Sequence, residues 1–204
     1  MANICCDDVY FYSDSNPEGL RLLWEDLETS IILCPDADAA WIGNLFRDKN
    51  LVTEGIGLRG TVNYMEKEQN HILLCTDAAW NPLYNAYQAI AAAYQVDFAM
   101  LSIECGENLY YNTDSTGTYF PDKYILTFDD GKTVTPNGKI LEQVVAYGEM
   151  FTTDQSLLQK FRAIGYAADN LPELIKQVEA DEISIHEFIN PYDNDCDSRK
   201  VDAA

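Results

Sequence analysis

Four segments in the first half of the chain alternate apolar and polar residues and are predicted to be strands: residues 4–12, 61–65, 71–76 and 96–105. In the first, Val9 and Phe11 alternate with Tyr10 and Tyr12. The second and third are separated by a polar five-residue turn, which predicts a hairpin. These strands supply the sheet on which the helical segments can pack.

The segments between those strands have the apolar spacing of helices. Ser15 and Glu18 have the spacing of a capping box with Pro17 in the first turn, and an apolar stripe follows up to Ile31. Further helices are predicted over residues 38–48 and from Pro82 onward. The resulting order is that of an α+β, ferredoxin-like split β-α-β sandwich, an antiparallel sheet with helices on one face.

The character of the chain changes beyond residue 124. One strand is predicted over residues 124–128, and from about residue 137 the apolar spacing becomes helical, with helices expected over 140–147, 154–161, 170–178 and 183–189. We therefore expect a ferredoxin-like domain over residues 1–136 and a helical region over 137–190. Residues 191–204 are expected to form an acidic, flexible tail.

The net charge of the chain limits the classes of molecule that it is expected to bind. The chain has 34 acidic and 13 basic residues and a formal net charge of −21. Phosphate contacts need clusters of Lys and Arg, so direct binding to nucleic acid and to anionic membranes is disfavoured. A protein partner, and in particular a basic one, fits better. The start of the chain lacks the features of a signal peptide, and no apolar run is long enough to span a bilayer, which predicts a cytoplasmic protein.

Several short motifs resemble known metal- or phosphate-binding sequences but lack residues that those sites require. The chain has six cysteines but no C-x-x-C pair, so we expect neither a metal site nor an iron–sulfur cofactor. Gly131-Lys132-Thr133 lacks the earlier glycine of a phosphate-binding loop, because position 126 is Leu. Asp193, Asp195 and Asp197 begin like a calcium loop, but its sixth and twelfth positions hold Ser and Ala. No catalytic set is apparent around the two histidines.

Aromatic residues are the clearest binding signal. Tyr110, Tyr111 and Tyr119 cluster in a tyrosine-rich stretch, and Trp80 stands at a marked corner before a predicted helix. Tyrosine is enriched at protein interfaces because it combines a large apolar area with a polar tip. These four residues are the candidate partner-binding residues. Packing of the tyrosines along an edge strand within the domain is the alternative.

The order of elements also resembles the YubB-type ferredoxin-like domains of plasmid- and phage-borne proteins, over residues 1–130. The resemblance depends mainly on the corner Trp80-Asn81-Pro82, which follows the strand 72–77 and precedes a helix. It is supported by Asn3 and the cysteines at the start of the first strand, and by the acidic, glycine- and tyrosine-containing stretch 104–119. The chain departs from the family in having Ile4 instead of a Trp and a single proline at the corner. The resemblance implies a fold and a mobile-element context, but no reaction or cofactor.

Three functional hypotheses follow. The first is a non-enzymatic binding or regulatory protein of a phage, plasmid or other mobile element, which acts through protein–protein contacts. In the second, the acidic surface mimics DNA and inhibits a host nuclease or defence protein, which would require carboxylates in ordered rows. The third is an enzyme of unrecognised type with its site between the sheet and the C-terminal helices. The missing catalytic set favours a protein without enzymatic activity.

Overall fold

The computed structural model describes residues 3–34, 40–129 and 133–193. The chain divides into a first unit, Met1–Ser115 with Asn190–Ala204, and a second unit, Thr116–Ile189. The Gly131-Lys132 pair, Asp195 and Asp197 of the calcium-like motif, and residues 194–204 of the predicted tail lie outside the described residues. Both units mix strands and helices, in agreement with the predicted α+β class.

A five-stranded antiparallel sheet organises the first unit, in the order β2-β3-β1-β4-β5. The strands are β1 (Ile4–Tyr12), β2 (Gly60–Lys67), β3 (His71–Ala79), β4 (Asp97–Glu104) and β5 (Leu109–Asn112). The predicted first strand and the predicted hairpin are both confirmed. The central position of β1 means that both of its edges are hydrogen-bonded, so its side chains are displayed only above and below the sheet.

The helices of the first unit are α1 (Pro17–Leu27), α2 (Gly43–Lys49) and α3 (Tyr84–Tyr94), and a π-helical turn, Glu28–Ile32, follows α1. The predicted Ser15 cap is wrong. Asn16 caps α1 instead, because it directly precedes Pro17, and its Oδ1 accepts from the Gly19 N–H at 3.0 Å. The same Asn16 side chain donates to the carbonyl of Tyr94 at 3.1 Å, which ties α1 to the end of α3.

The core of the first unit lies between the helices and one face of the sheet, here called the helix face. Every second residue of β1 points into this core, and Val9 and Phe11 have no exposed surface. They pack in one cluster with the apolar stripes of α1 and α3, represented by Leu23 and Ile90. The alternate residues of β1, β2 and β3 point to the other face of the sheet.

The second unit contains a three-stranded antiparallel sheet in the order β7-β6-β8. Its strands are β6 (Tyr124–Phe128), β7 (Met150–Phe151) and β8 (Ile183–Glu187), and its helices are α4 (Asp154–Ala163) and α5 (Leu171–Glu179). Leu126, Phe161, Leu174 and Val178 are among the residues of its buried core. The helices predicted over residues 154–161 and 170–178 are thus present, and the side chains of Thr153 and Asn170 cap them.

Two of the predicted helices in this region are wrong. Residues 183–187 form strand β8, whose Ile-Ser-Ile pattern alternates buried and exposed side chains and whose backbone pairs with β6. Residues 140–147 contain only a 3₁₀ turn, Leu141–Gln143, which is followed by a separate turn that the Glu149 N–H closes on the Ala146 carbonyl. Within the described part of the chain, every helix falls short of the length and apolar content that a bilayer crossing requires.

Candidate binding surface

The face of strands β1, β2 and β3 that points away from the helices is here called the outer face. The strand register fixes its residues. Cys6 lies opposite Asp77, and Asp8 lies opposite Cys75, on neighbouring strands. Tyr64 of β2 is in turn opposite Cys75. The full set, none of it fully buried, is Ile4, Cys6, Asp8, Tyr10, Tyr12, Thr61, Tyr64, Glu66, His71, Leu73, Cys75, Asp77 and Ala79.

The outer face is acidic. Asp8, Asp77 and Glu66 bring three carboxylates to it, and its residue set contains no Lys or Arg. The neighbouring Lys67 pairs with Ile72, a helix-face residue, and so belongs to the other side of the sheet. In a low-salt solution, a group of carboxylates creates a negative potential that attracts cationic groups.

Aromatic side chains stand among these carboxylates. Tyr64 is 50% exposed, and its hydroxyl donates to Glu66 at 2.8 Å. Tyr10 lies edge-on to the ring of His71, with ring centroids 5.0 Å apart. Burial and then Glu68 raise the pKa of the Tyr10 hydroxyl, so it remains a neutral donor at physiological pH. The outer face therefore offers both apolar area and hydrogen-bonding tips.

The thiols of this region are protonated. Burial and then the neighbouring Asp77 raise the pKa of Cys6, whose Sγ donates to that carboxylate at 3.8 Å. Burial and then Asp8 raise the pKa of Cys75 to about 12. A nucleophilic or metal-binding cysteine must be a thiolate, and carboxylate neighbours oppose that form. Consistently, the described residues contain no group of three or more His, Cys, Asp or Glu side chains placed to hold a metal ion.

A fully buried carboxylate lies on the opposite side of the same strand. Asp7 accepts hydrogen bonds from the Leu83 N–H and the Tyr87 hydroxyl at 2.9 Å each, and from the Ser102 hydroxyl at 2.7 Å. The Cys5 thiol contributes a longer contact, at 3.5 Å. Burial raises the pKa of Asp7, although all four contacts favour the ionised form. This cluster joins β1, β4 and the start of α3, and so holds the sheet and its corner in one arrangement.

The four predicted partner-binding residues lie on different segments of the chain. Trp80 follows β3 at the corner, with 42% of its surface exposed and a φ of +75°. Tyr110 and Tyr111 point to opposite faces of β5; Tyr110 is buried, and the half-buried Tyr111 lies edge-on to Tyr192 at 6.1 Å. Tyr119 is half-buried and belongs to the second unit. Their role in binding a partner stays a prediction.

Two adjoining pockets lie beside the corner, and no pattern in the sequence predicts them. Both are lined by Arg59 and Ala79. The larger, of about 540 Å³, also contains Trp41, and the smaller, of about 230 Å³, contains Tyr84 and Tyr192. The two tyrosine rings are stacked, with centroids 3.6 Å apart and planes within 4°. Tyr192, at the start of the predicted tail, is thus packed against α3.

Neither of the two histidines is among the residues that line these pockets. His71 is at the start of β3, and His186 is in β8 of the second unit, where its Nε2 lies 2.7 Å from the Thr127 hydroxyl. Burial lowers the pKa of His186, which favours the neutral ring. Neither residue lines the two pockets at the corner, and neither does Cys105.

Comparison with known proteins adds no relative from which a role could be transferred. The resemblance to YubB-type domains therefore stays a prediction from the sequence. No protein-family model, curated protein or solved structure matches this chain.

Proposed function

We propose that this chain is a non-enzymatic binding or regulatory protein that recognises a basic protein partner through the outer face of strands β1, β2 and β3. The observation that carries the proposal is the composition of that face. Asp8, Asp77 and Glu66 stand beside Tyr10 and Tyr64, and no Lys or Arg belongs to the set.

The chemistry of these groups favours an arginine- or lysine-bearing partner. A guanidinium can bind a carboxylate through two parallel hydrogen bonds and can also stack on a tyrosine ring. Single exposed ion pairs contribute only about 0–1 kcal/mol each, so the carboxylates mainly steer the partner and select it. The tyrosines and Leu73 supply the apolar contact area from which most affinity derives.

The state of the ionisable groups supports a protein without catalytic activity. Cys6 and Cys75 are the outer-face nucleophile candidates, and both carry a raised pKa. Asp7, whose pKa is also raised, is fully buried and accepts from four donors that are all part of the protein. The remaining enzyme hypothesis, with a site between the sheet and the C-terminal helices, has no catalytic constellation among these groups to support it.

The wider context remains part of the proposal. The strand order β2-β3-β1-β4, with α1 and α3 packed on one face, supports a ferredoxin-like arrangement of the first unit. The resemblance in the corner Trp80-Asn81-Pro82 favours a phage- or plasmid-borne protein. DNA mimicry is the second candidate, and it is supported by the net charge of −21 rather than by any one surface.

Affinity measurements with matched variants test the proposal. The probe is an arginine-rich peptide with interspersed aromatic residues, followed by fluorescence anisotropy at low and high salt. The double variant Asp8→Asn, Asp77→Asn removes two charges from the outer face while it keeps side-chain shape. The control Glu18→Gln, Glu25→Gln removes two charges from α1, where both carboxylates pair with Arg21.

We expect the outer-face variant to bind at least several-fold more weakly than the control. Because the two proteins have equal net charge, such a difference reports the position of the lost carboxylates. Equal affinities would contradict the proposal and would show that only total charge matters. A control experiment with duplex DNA as competitor separates the second candidate. A DNA mimic would displace duplex DNA from a basic DNA-binding protein, and its effect would depend on carboxylates beyond the outer face.

A further inference from the structure

The two pockets beside the corner of the first unit share lining residues and are here together called the groove. Both include Arg59 and Ala79, and the larger pocket, of about 540 Å³, has the size of a small-molecule site. The loop that carries Arg59 is anchored on both sides. The Arg59 carbonyl accepts from the Ala79 N–H at 2.9 Å, and the adjacent Leu58 carbonyl accepts from the Trp41 indole at 2.5 Å. The groove is therefore part of the folded framework.

Arg59 is unusual in this acidic protein because its guanidinium has no carboxylate partner among the described residues. The other described arginines, Arg21, Arg47 and Arg162, all form ion pairs. With 34 acidic residues available in the chain, a carboxylate neighbour would be the ordinary arrangement. A guanidinium that lines two pockets and forms no ion pair with a described residue can bind an external anion.

The surroundings of Arg59 divide the groove into two environments. The smaller pocket contains no carboxylate, and Asn81 and Asn85 add amide groups that can donate hydrogen bonds. The larger pocket includes Asp77, whose negative charge would repel an anion, together with the Trp41 ring. An anionic group therefore fits the smaller pocket, and a flat apolar group fits the larger one.

The Trp41 ring is held in place before any ligand arrives. Its Nε1–H donates to the Leu58 carbonyl, and its ring lies across Gly43 so closely that a Cβ at position 43 would overlap it. A fixed aromatic surface binds a planar ring with little loss of side-chain entropy. The Tyr84–Tyr192 stack similarly provides a rigid wall for the smaller pocket.

We infer that this groove is a binding site for a small organic anion in which a carboxylate or phosphate is joined to a planar ring. The anionic group binds Arg59 and the amides of Asn81 and Asn85, and the ring lies against Trp41. The groove overlaps the outer face at Ile4, Thr61, Asp77 and Ala79. It depends on the Arg59 cation, however, which the proposed recognition of a basic partner does not use. Each proposal can therefore fail without the other.

The inference is tested by titrating the full chain, labelled with ¹⁵N, with four probes. Adenosine monophosphate and indole-3-acetate carry the two kinds of anionic group. Adenosine and indole-3-acetamide are their uncharged counterparts. Amide and indole resonances report where each probe binds, and the two anions distinguish phosphate from carboxylate as the preferred group. Arg59→Gln removes the cation, and Arg47→Gln removes a cation of α2 that lines neither pocket.

We expect at least one anion to shift the side-chain resonances of Asn81, Asn85 and Trp41, and its uncharged counterpart to bind more weakly. Arg59→Gln should lower the affinity roughly tenfold or more relative to Arg47→Gln, as expected for a lost charge-assisted hydrogen bond. Binding that is equal in the two variants, equal for charged and uncharged probes, or absent up to millimolar concentration would overturn the inference.

A second pair of variants tests whether Arg59→Gln weakens binding only because it changes the conformation of the loop. Asn85→Asp places a carboxylate in the smaller pocket, and Gln88→Glu places one on the same helix outside it. Repulsion should weaken anion binding in the first variant and leave it nearly unchanged in the second. Equal affinities for the two variants would contradict the placement of the anionic group.

Discussion

The Asp7 carboxylate of β1 accepts a hydrogen bond from the Leu83 N–H at 2.9 Å and so connects the central strand to the residue that precedes α3. The two residues are 76 positions apart in the chain. The bond fixes the corner in which Trp80, Asn81 and Pro82 lie, because it is formed inside the core, out of contact with water. Both proposed binding regions adjoin strands that this contact holds together.

Loss of the Asp7 carboxylate should destabilise the first unit strongly. In Asp7→Leu, the buried Leu83 N–H and Tyr87 hydroxyl lose their acceptor, at a cost of about 3 kcal/mol or more in the free energy of unfolding. Asp7→Asn keeps one acceptor oxygen and should cost clearly less. Urea unfolding of the three proteins measures the difference. Similar losses for Leu and Asn would contradict the hydrogen-bonding account.

The pH dependence of stability should also report Asp7. Its pKa is raised in the folded chain above the ordinary value of 3.8, so the folded state holds this proton at pH values where the unfolded chain has released it. This contribution to the free energy of unfolding is complete at pH values below 3.8 and is lost as the pH rises through the folded-state pKa. Asp7→Asn lacks the titrating group. The stability of the parent relative to Asp7→Asn should therefore fall as the pH rises from about 3, and a constant or rising difference would refute this assignment.

Trp80 should carry backbone strain. Its φ of +75° lies in the left-handed region, which costs about 1 kcal/mol for a residue with a Cβ and almost nothing for glycine. Trp80→Gly should thus be more stable than Trp80→Ala by about 1 kcal/mol, since both variants lose the same indole. Urea midpoints provide the measurement. If the alanine variant were equally stable, the corner would relax without strain.

Gly43 should be required for the position of Trp41. A Cβ at residue 43 would overlap the indole ring, so Gly43→Ala must displace it or distort the start of α2. We expect a shifted Trp41 indole N–H resonance and a weaker response to planar anions. Gly57→Ala is the matched control for the indole resonance, because a Cβ there meets no neighbouring atom. It is not a control for anion binding, because Gly57 lines the smaller pocket. An unchanged indole resonance in Gly43→Ala would show that the ring is not held against the helix.

The sequence predicts the strands of the first unit well because each has a clear period of two. The alternation of Val9 and Phe11 also places Asp7 on the buried face, so the pattern contains a signal for this residue. The sequence predicts a helix over residues 183–189 because their short apolar spacing is compatible with either period, and only the pairing of residues 183–187 with β6 decides for a strand. Local patterns likewise contain no information on contacts between distant segments.

The residues of the candidate sites likewise cannot be identified from local sequence patterns. Arg59 lies in a loop without periodicity, and only the folded chain brings it beside Asn81 and Tyr192. Asp8 and Asp77 are equally inconspicuous in a chain with 34 acidic residues, until the register of β1 and β3 places them on one face. The partner-binding role is predicted from the local abundance of aromatic residues, for Trp80, Tyr110, Tyr111 and Tyr119. Such abundance does not show whether these side chains share one surface.

The most direct test of the proposed function is to map where an arginine-rich peptide binds the ¹⁵N-labelled chain. We expect the largest shifts in the amides of the outer face, around Asp8, Tyr64, Cys75 and Asp77, and much smaller shifts in α1. Added salt should reduce these shifts because the contacts are charged and exposed. Shifts that follow the exposed carboxylates of α1 equally, or that spare the outer face, would contradict the account.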